Sequence, residues 1–312
     1  MNKNMLFQRD EFIKEIHKGA RKNKKILLLS ADFGSPALND FRFDLKSQFL
    51  NLGISEQNMI DFAGGLALEG NKPYLYAMAP FLSLRCLEQH KVSSCLMNLN
   101  VCSIITGIGL SYANSGPTHY STEDFACLRT LPNCEIYTAS DPLVAKLIAK
   151  LTLLNNKPIF VRLDMKAGLN FSKKVSLDQI RNGFRFIKKT KQKKILCIVG
   201  HGTILQRAVN AVSNLDKKKQ NYINIIDIIR SKPFPHKLRY EIDQYKSILT
   251  LDEQTLSGSL GSVISENLLT KQKIRSLSLP DKFIFENKGR SKLLDINGLS
   301  VQNIRKNIIK LI

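Results

Sequence analysis

Glu56 is the first residue of this sequence whose type and setting could do chemistry. It stands in the stretch NLGISEQNMIDFAGGLALEG, which begins at Asn51 and is otherwise mostly apolar and small. A carboxylate in the first turn of a helix is stabilised by the helix dipole, and that alone would explain it. A carboxyl group in a dry, apolar setting can also take part in proton transfer. The stretch by itself leaves both interpretations open.

Three further side chains follow short apolar runs that are typical of buried parallel strands. Asp32 follows ILLLS, Phe81 follows YLYAM, and His119 lies in the loop after SIITGI. Ligands of open α/β sheets bind at the carboxyl ends of the strands. Taken singly, Asp32 is explained by a turn and Phe81 by core packing, whereas a Gly-Pro-Thr-His loop is an unusual place for a packing histidine. We therefore expect any ligand at this sheet edge.

Several kinds of site are not supported by the sequence. It contains no Walker A, HExxH or GxSxG pattern, and its GHG turn at residues 200–202 lacks the third glycine of a dinucleotide fingerprint. No metal ligands are predicted in this chain. Six cysteines stand in apolar segments without a CxxC pair, so we predict small buried side chains and no zinc site or disulfide framework: Cys86, Cys95, Cys102, Cys127, Cys134 and Cys197.

Alternating strands and helices must position the candidate residues. In the first half, ILLLSAD, YLYAM, VCSIITGI and IFVRLD read as strands. A helix is predicted over residues 56–69, stopped by Gly70, and a long helical pattern covers residues 81–97. Ser121 and Asp124 have the spacing of a capping box.

A second α/β pattern begins at Lys194 and runs through ILCIVG, INIIDI and SILTLDE. We predict an α/β fold of two doubly wound domains. The first, residues 1–170, has a parallel sheet; a basic linker covers residues 171–193; a smaller α/β domain covers residues 194–312.

The bulk composition is that of an ordinary globular chain. Its 312 residues, 43% of them hydrophobic, are enough for two domains. The apolar runs are too short to span a bilayer and no signal peptide is evident, so we expect a cytoplasmic protein. The net charge is +21, but the lysines are spread along the chain without a nucleic-acid-binding motif. We therefore interpret the charge as lysines on an ordinary solvated surface, and a basic surface that attracts anionic substrates or an acidic partner subunit is the alternative.

Read together, the motifs resemble the C-terminal half of transketolase. The matching stretches are, in order, GISEQNMIDFAGGLALEG, APFLSLRCLEQ, GLSYANSGPTHYSTEDFACLRTLPN and ASDPLVAK. The second domain adds IVGHGT, the LDEQ of residues 251–254 and SGSLGS. The resemblance covers almost the whole chain, and it implies a domain that binds the pyrimidine of thiamine diphosphate, followed by a transketolase C-terminal domain.

The resemblance also implies roles for individual residues. Glu56 would contact N1′ of the aminopyrimidine and share a proton with the ring, in a dry pocket. Apolar neighbours on its helix would keep that pocket dry: Met59, Ile60, Phe62 and Leu66. Phe81 would stack on the pyrimidine, and His119 would face the substrate and assist proton transfer. Asp32 and Ser35 would line the same cleft, and Arg85 and Arg162 are candidates for holding a substrate phosphate.

Two positions depart from the family pattern. Single-chain transketolases carry a further His upstream of Gly-Pro-Thr-His, where this sequence reads Thr106-Gly107-Ile108-Gly109. They also tend to have an acid immediately before that motif, where this sequence has Ser115. Both family groups contact substrate, so we expect an altered donor or acceptor sugar.

The sequence contains no GDG motif followed by Asn, with which the family binds Mg²⁺ and the diphosphate. A divalent ion that bridges phosphates needs carboxylate and carbonyl oxygens. The resemblance therefore implies a split enzyme, in which a separate N-terminal subunit with GDG…N holds both groups. We expect an α2β2 assembly acting on sugars or sugar phosphates.

Two enzymes with the same architecture are alternatives: the β subunit of a 2-oxoacid dehydrogenase E1 component, and a deoxyxylulose-phosphate synthase. The LSYANSGPTH loop and the PFLSLRCLEQ segment favour transketolase. The donor separates the three, because transketolase uses a ketose and the other two use a 2-oxoacid. A non-catalytic basic interaction module is a more distant alternative, and it would bind nucleic acid in a strongly salt-dependent way.

Overall fold

A computed structural model describes residues 6–32, 34–165, 171 and 174–312 of the chain. Within these residues twelve strands are found: β1 Ile26–Ser30, β2 Phe49–Asn51, β3 Lys72–Met78, β4 Cys102–Thr106, β5 Glu135–Thr138, β6 Ile159–Leu163, β7 Phe184–Lys188, β8 Leu196–Gly200, β9 Ile223–Ile228, β10 Arg230–Lys232, β11 Ser247–Thr255 and β12 Lys273–Leu279.

The same residues form fourteen α-helices: α1 Gln8–Ala20, α2 Asn39–Asp44, α3 Glu56–Leu68, α4 Ala79–Leu82, α5 Leu87–His90, α6 Asp124–Leu128, α7 Pro142–Leu154, α8 Leu177–Asn182, α9 Leu205–Ser213, α10 Lys217–Gln220, α11 His236–Ile242, α12 Leu260–Asn267, α13 Gly289–Leu294 and α14 Val301–Leu311. No helix in this described part of the chain is long and apolar enough to cross a membrane.

Two sheets organise the fold, as predicted for two α/β domains. The first has the strand order β10-β5-β6-β4-β3-β1-β2 and the second the order β12-β11-β8-β9-β7. Pairing is parallel in both, except that β10 and β7 run antiparallel to their neighbours at the edges. Because β10 comes from the second half of the chain and pairs with β5, the two halves share the first sheet.

The central strands β1, β3, β4 and β6 of the first sheet are buried on both faces, which explains why they are mostly apolar. Leu29, Leu75 and Ile105 pack on one side, where α3 lies. Neighbouring strand residues pack with α1 and α7 on the other side. Full burial of one such side chain stabilises the fold by about 1.5–3 kcal/mol.

The strand order brings the candidate residues together at the carboxyl ends of the strands. The four neighbours β4, β3, β1 and β2 are parallel, so their carboxyl ends lie side by side. The segments that follow these strands carry, in the same order, His119, Phe81, Asp32 and Glu56. The sheet topology thus supplies the common edge that the sequence could only suggest.

The prediction of one continuous helix over residues 81–97 is wrong. The segment forms α4, a break, α5 and then a π-helical turn at Lys91–Leu96. Pro80 lies in the first turn of α4. Ser83, the C-cap residue, donates from Oγ to the carbonyl oxygen of Ala79 at 2.5 Å. The break turns Arg85 back towards α3.

Two further details differ from the sequence-based prediction. Helix α6 begins at Asp124 itself, with no side-chain cap, so the Ser121–Asp124 capping box does not form. Residues 174–193 of the predicted linker contain α8, whose capping box is formed by Ser176 and Gln179, and β7, which joins the second sheet. The predicted boundary at residue 170 lies outside the described residues.

His90 anchors the helix that carries Phe81, and this makes the fold pH-sensitive. Its buried Nε2 donates to the carbonyl oxygen of Leu82 at 2.7 Å, and burial lowers the pKa of His90 to about 4. The unfolded chain takes up this proton near pH 6.5 and the folded chain does not, so stability falls as the pH drops from about 6.5 to about 4. We expect this residue to contribute a loss of ~3 kcal/mol over that window.

Urea unfolding at pH 7, 5 and 4 measures this loss. The His90→Gln variant, which keeps a donor but does not titrate there, should lose less stability than the wild type on acidification. His236 is exposed, so His236→Gln should behave as the wild type. Equal acid losses for wild type and His90→Gln would show that His90 does not cause the effect.

Candidate functional site

Glu56 opens α3 and faces the interior, with only 4% of its surface exposed. The helix ends as predicted, at a left-handed glycine, Gly70. Met59 and Ile60 are fully buried on the same helix, whereas Phe62 is 41% exposed and faces outward. The dry setting of the carboxylate therefore comes from Met59 and Ile60 and not from Phe62.

Arg85 joins Glu56 to Phe81. Its Nη1 donates to Glu56 Oε2 at 2.8 Å, and its Cζ lies 4.3 Å from the centroid of the Phe81 ring. Gln57 Nε2 donates to the backbone oxygen of Arg85 at 3.2 Å, which holds the break in the chain against α3. The guanidinium is thus not free for a phosphate in this conformation, although the structure places Arg85 in the predicted cleft.

His119 lies beside the same aromatic ring. The two ring centroids are 5.5 Å apart with planes at 71°, so the imidazole meets Phe81 edge to face. Its Nδ1 is 2.9 Å from Thr118 Oγ1. Four of the residues predicted for the site, Glu56, Phe81, Arg85 and His119, therefore form one contiguous cluster.

Tyr112 borders His119 on its other side, with centroids 6.3 Å apart. Its ring packs so closely on Gly107 that a Cβ at that position would collide with it. Gly107 also has a left-handed backbone, with φ of +85°. Both the backbone conformation and the Tyr112 ring therefore exclude a side chain at this position. Tyr112 thus packs on the segment in which the upstream histidine of the family is absent. The sequence does not reveal this packing.

The second domain holds the His119 loop in place. Gln254, at the end of β11, donates from Nε2 to the Ser121 oxygen at 2.9 Å and accepts from the Phe125 backbone N–H at 3.1 Å. The Thr255 backbone N–H donates to the Thr122 oxygen at 2.8 Å. The LDEQ motif is visible in the sequence, but its role as the clamp on this loop depends on domain packing that no local pattern encodes.

Asp32 and Ser35 border the cluster from β1. Asp32 is exposed with φ of +42°, and its backbone N–H donates to Asn51 Oδ1 at 3.1 Å, which ties the ends of β1 and β2 together. Ser35 is buried near Tyr76, whose pKa is raised by burial. Among the described residues, no hydrogen bond or ion pair is found between Glu56 and either Asp32 or Ser35.

The prediction that Arg162 binds the substrate is corrected by its surroundings. It is 1% exposed, and its guanidinium makes a bidentate ion pair with Asp124 at 2.6 and 3.1 Å and a hydrogen bond to Thr138 Oγ1 at 3.0 Å. A guanidinium enclosed and paired in this way cannot also meet a substrate phosphate. Arg162 anchors the start of α6, immediately after the His119 loop.

The cluster suits a flat, nitrogen-containing ring. The Arg85 guanidinium, itself planar and rich in N–H donors, already stacks on Phe81 and bonds to Glu56, so the residues fit an aminopyrimidine held between an aromatic face and a carboxylate. Across the described ranges, no group of three or more His, Cys, Asp or Glu is arranged to hold a metal ion.

Comparisons with known proteins agree with this geometry. The model of the transketolase pyrimidine-binding domain matches residues 9–168, and that of the transketolase C-terminal domain matches residues 187–304. One of the subunits of the apulose-4-phosphate transketolase of Phocaeicola vulgatus is 28% identical over 289 residues, covering 90% of each chain. The 1-deoxy-D-xylulose-5-phosphate synthase of Clostridium perfringens strain SM101 is 28% identical over 307 residues, but this chain spans only 48% of that protein.

Solved structures give the same answer. A split gene transketolase, described as an inactive β4 tetramer, superposes with a TM-score of 0.86 at 25% identity, with 98% of both chains covered. The transketolase of Leishmania mexicana shares the fold with a TM-score of 0.82, but this chain covers 46% of it. The predicted resemblance and fold class are therefore confirmed: the chain belongs to the transketolase family and carries its pyrimidine-binding and C-terminal domains.

Proposed function

We propose that this chain is the C-terminal subunit of a two-component, thiamine diphosphate-dependent transketolase, which transfers a two-carbon ketol unit from a ketose to an aldose. The observation that carries the proposal is the cluster of Glu56, Phe81 and His119 at one sheet edge, bridged by Arg85. Two relatives support the split arrangement. This chain covers 90% of the apulose-4-phosphate transketolase subunit and 98% of the split gene transketolase chain.

In this proposal each residue of the cluster has one task. Glu56 holds a proton against N1′ of the aminopyrimidine, in the dry pocket made by Met59 and Ile60. Phe81 supports the ring by stacking, and Asp32 lines the cofactor cleft. When bound, thiamine diphosphate supplies the carbon nucleophile that accepts the ketol fragment.

The substrate side of the cleft belongs to the β1 and β4 loops. His119 faces the substrate and moves a proton to or from a hydroxyl group. In this proposal Ser35 contributes a polar group to the same cleft, and Arg85 binds an anionic substrate group once it has been released from Glu56. Tyr112 over Gly107 presents an aromatic ring where single-chain relatives have a histidine. The packing of the Tyr112 ring on Gly107 supports the expectation of an altered sugar preference.

The partner subunit completes the site. The sequence contains no GDG…N motif, so we assign the diphosphate and Mg²⁺ to a separate N-terminal subunit in an α2β2 assembly. The family models support a first domain ending near residue 170 and a second beginning by residue 194. We place the enzyme in the cytoplasm.

A donor panel with the reconstituted pair tests this function. We expect turnover with ketoses, phosphorylated or not, and none with pyruvate or other 2-oxoacids, measured as formation of the chain-extended sugar. Turnover with a 2-oxoacid donor would instead place the chain with the synthases that it resembles over half their length. Strict preference for ordinary pentose phosphates would contradict the altered sugar preference.

A further inference from the structure

Arg85 contacts both residues that the proposed function reserves for the cofactor ring. One nitrogen of its guanidinium donates to Glu56 Oε2 at 2.8 Å. The centre of the same planar group lies 4.3 Å from the Phe81 centroid. One side chain therefore satisfies the carboxylate and covers the aromatic face at once.

The Arg85 guanidinium and an aminopyrimidine exclude each other at this position. Stacked aromatic rings have centroids about 4.5–7 Å apart, so a ring on this face of Phe81 needs the volume in which the guanidinium lies. The Glu56 contact identifies the face concerned, since a ring that reaches this carboxylate must approach from the same side. His119 does not stack on Phe81 but meets it in a T-shaped contact, with the ring planes at 71°.

We propose that Arg85 occupies the aminopyrimidine position when the cofactor is absent, and that thiamine diphosphate binds by displacing its guanidinium from Phe81 and Glu56. This inference rests on the proposed function of the site. It adds a determinant of cofactor affinity that lies within this subunit: an internal cation that keeps the buried Glu56 carboxylate paired until the ring arrives.

The surroundings of Arg85 allow this displacement. Its side chain is 42% exposed, and it sits in the break between α4 and α5, where its backbone N–H donates to the Pro80 oxygen at 3.3 Å. It also borders an open surface groove lined by Leu84, Glu88, Lys91 and Thr130. Glu88, one helical turn further on, offers the displaced guanidinium a new carboxylate in that groove.

The contacts to be broken are weak enough for a ligand to break. A half-exposed ion pair and an exposed cation–π contact each contribute little. We therefore expect the competition to weaken cofactor binding by about tenfold, equivalent to ~1.4 kcal/mol.

Calorimetric titration of thiamine diphosphate, with Mg²⁺, into the reconstituted pair tests the proposal. Arg85→Met, which keeps the length but not the charge, should bind about tenfold more tightly than the wild type. Lys91→Met removes the same charge from the same groove and should bind as the wild type does. Arg85→Gln, a second variant should the first misfold, should also bind more tightly than the wild type.

The outcomes separate this inference from the function on which it rests. Unchanged or weaker binding by folded Arg85 variants, with normal binding by the wild-type pair, overturns the displacement while leaving the function intact. Absence of thiamine diphosphate binding in the wild-type pair overturns the function. A cofactor-bound structure gives a second measurement, in which the Arg85 guanidinium should have left the face of Phe81.

Discussion

Glu56→Gln is expected to reduce turnover of the reconstituted pair by at least about 100-fold, the scale of general acid–base catalysis. Glutamine has nearly the same shape and can still accept a hydrogen bond from Arg85, but it cannot share a proton with a ring nitrogen. Because the substitution keeps the volume of a buried side chain, the thermal unfolding midpoint should change little. Product formation and thermal unfolding of the same preparation check both parts.

Asp61→Asn is the matched control, since Asp61 lies on the exposed face of the same helix and bonds to Ser93. This variant should keep full turnover. If Glu56→Gln also retained turnover with an intact fold, Glu56 would be no more than a first-turn acid stabilised by the helix dipole.

The second large effect is structural and concerns Arg162. Removing one partner of a buried ion pair leaves the other charge uncompensated, at a cost of about 3–5 kcal/mol. We therefore expect Arg162→Met and Asp124→Leu each to lower the free energy of unfolding by that amount, as measured with urea. The pair ties α6 to β6, so both variants should also loosen the His119 loop.

The double variant distinguishes a structural pair from a substrate site. Replacing a buried ion pair with apolar residues of similar size is often neutral, so Arg162→Met with Asp124→Leu should be more stable than either single variant. An Arg162→Met protein of wild-type stability that had lost its affinity for phosphorylated sugars would reverse the assignment and restore Arg162 to the substrate site.

Local patterns in the sequence are sufficient for the central strands and for the α3 helix, whereas the cluster is identified through the family resemblance. The central strands of the first sheet are buried on both faces and so appear as mostly apolar runs. Glu56, Phe81 and His119 each follow such a run or open the next helix, and parallel pairing of neighbouring strands then gathers them.

What the sequence does not reveal depends on contacts between distant segments. Arg162 looks free in the sequence because its partner, Asp124, lies 38 positions away and has the spacing of a capping residue. The pairing of Arg85 with Glu56 requires the break after α4, and Gln254 reaches the His119 loop across 133 positions. Periodicity and caps describe one element at a time and do not contain such pairs.

The central claim, that this chain is half of a split enzyme, is tested most directly by one measurement. Thiamine diphosphate binding and ketol transfer should be compared for the purified chain alone and for the chain mixed with a subunit that carries GDG…N. We predict neither tight binding nor turnover by the chain alone, and both after mixing. Tight binding and turnover by this chain without a partner would contradict the claim.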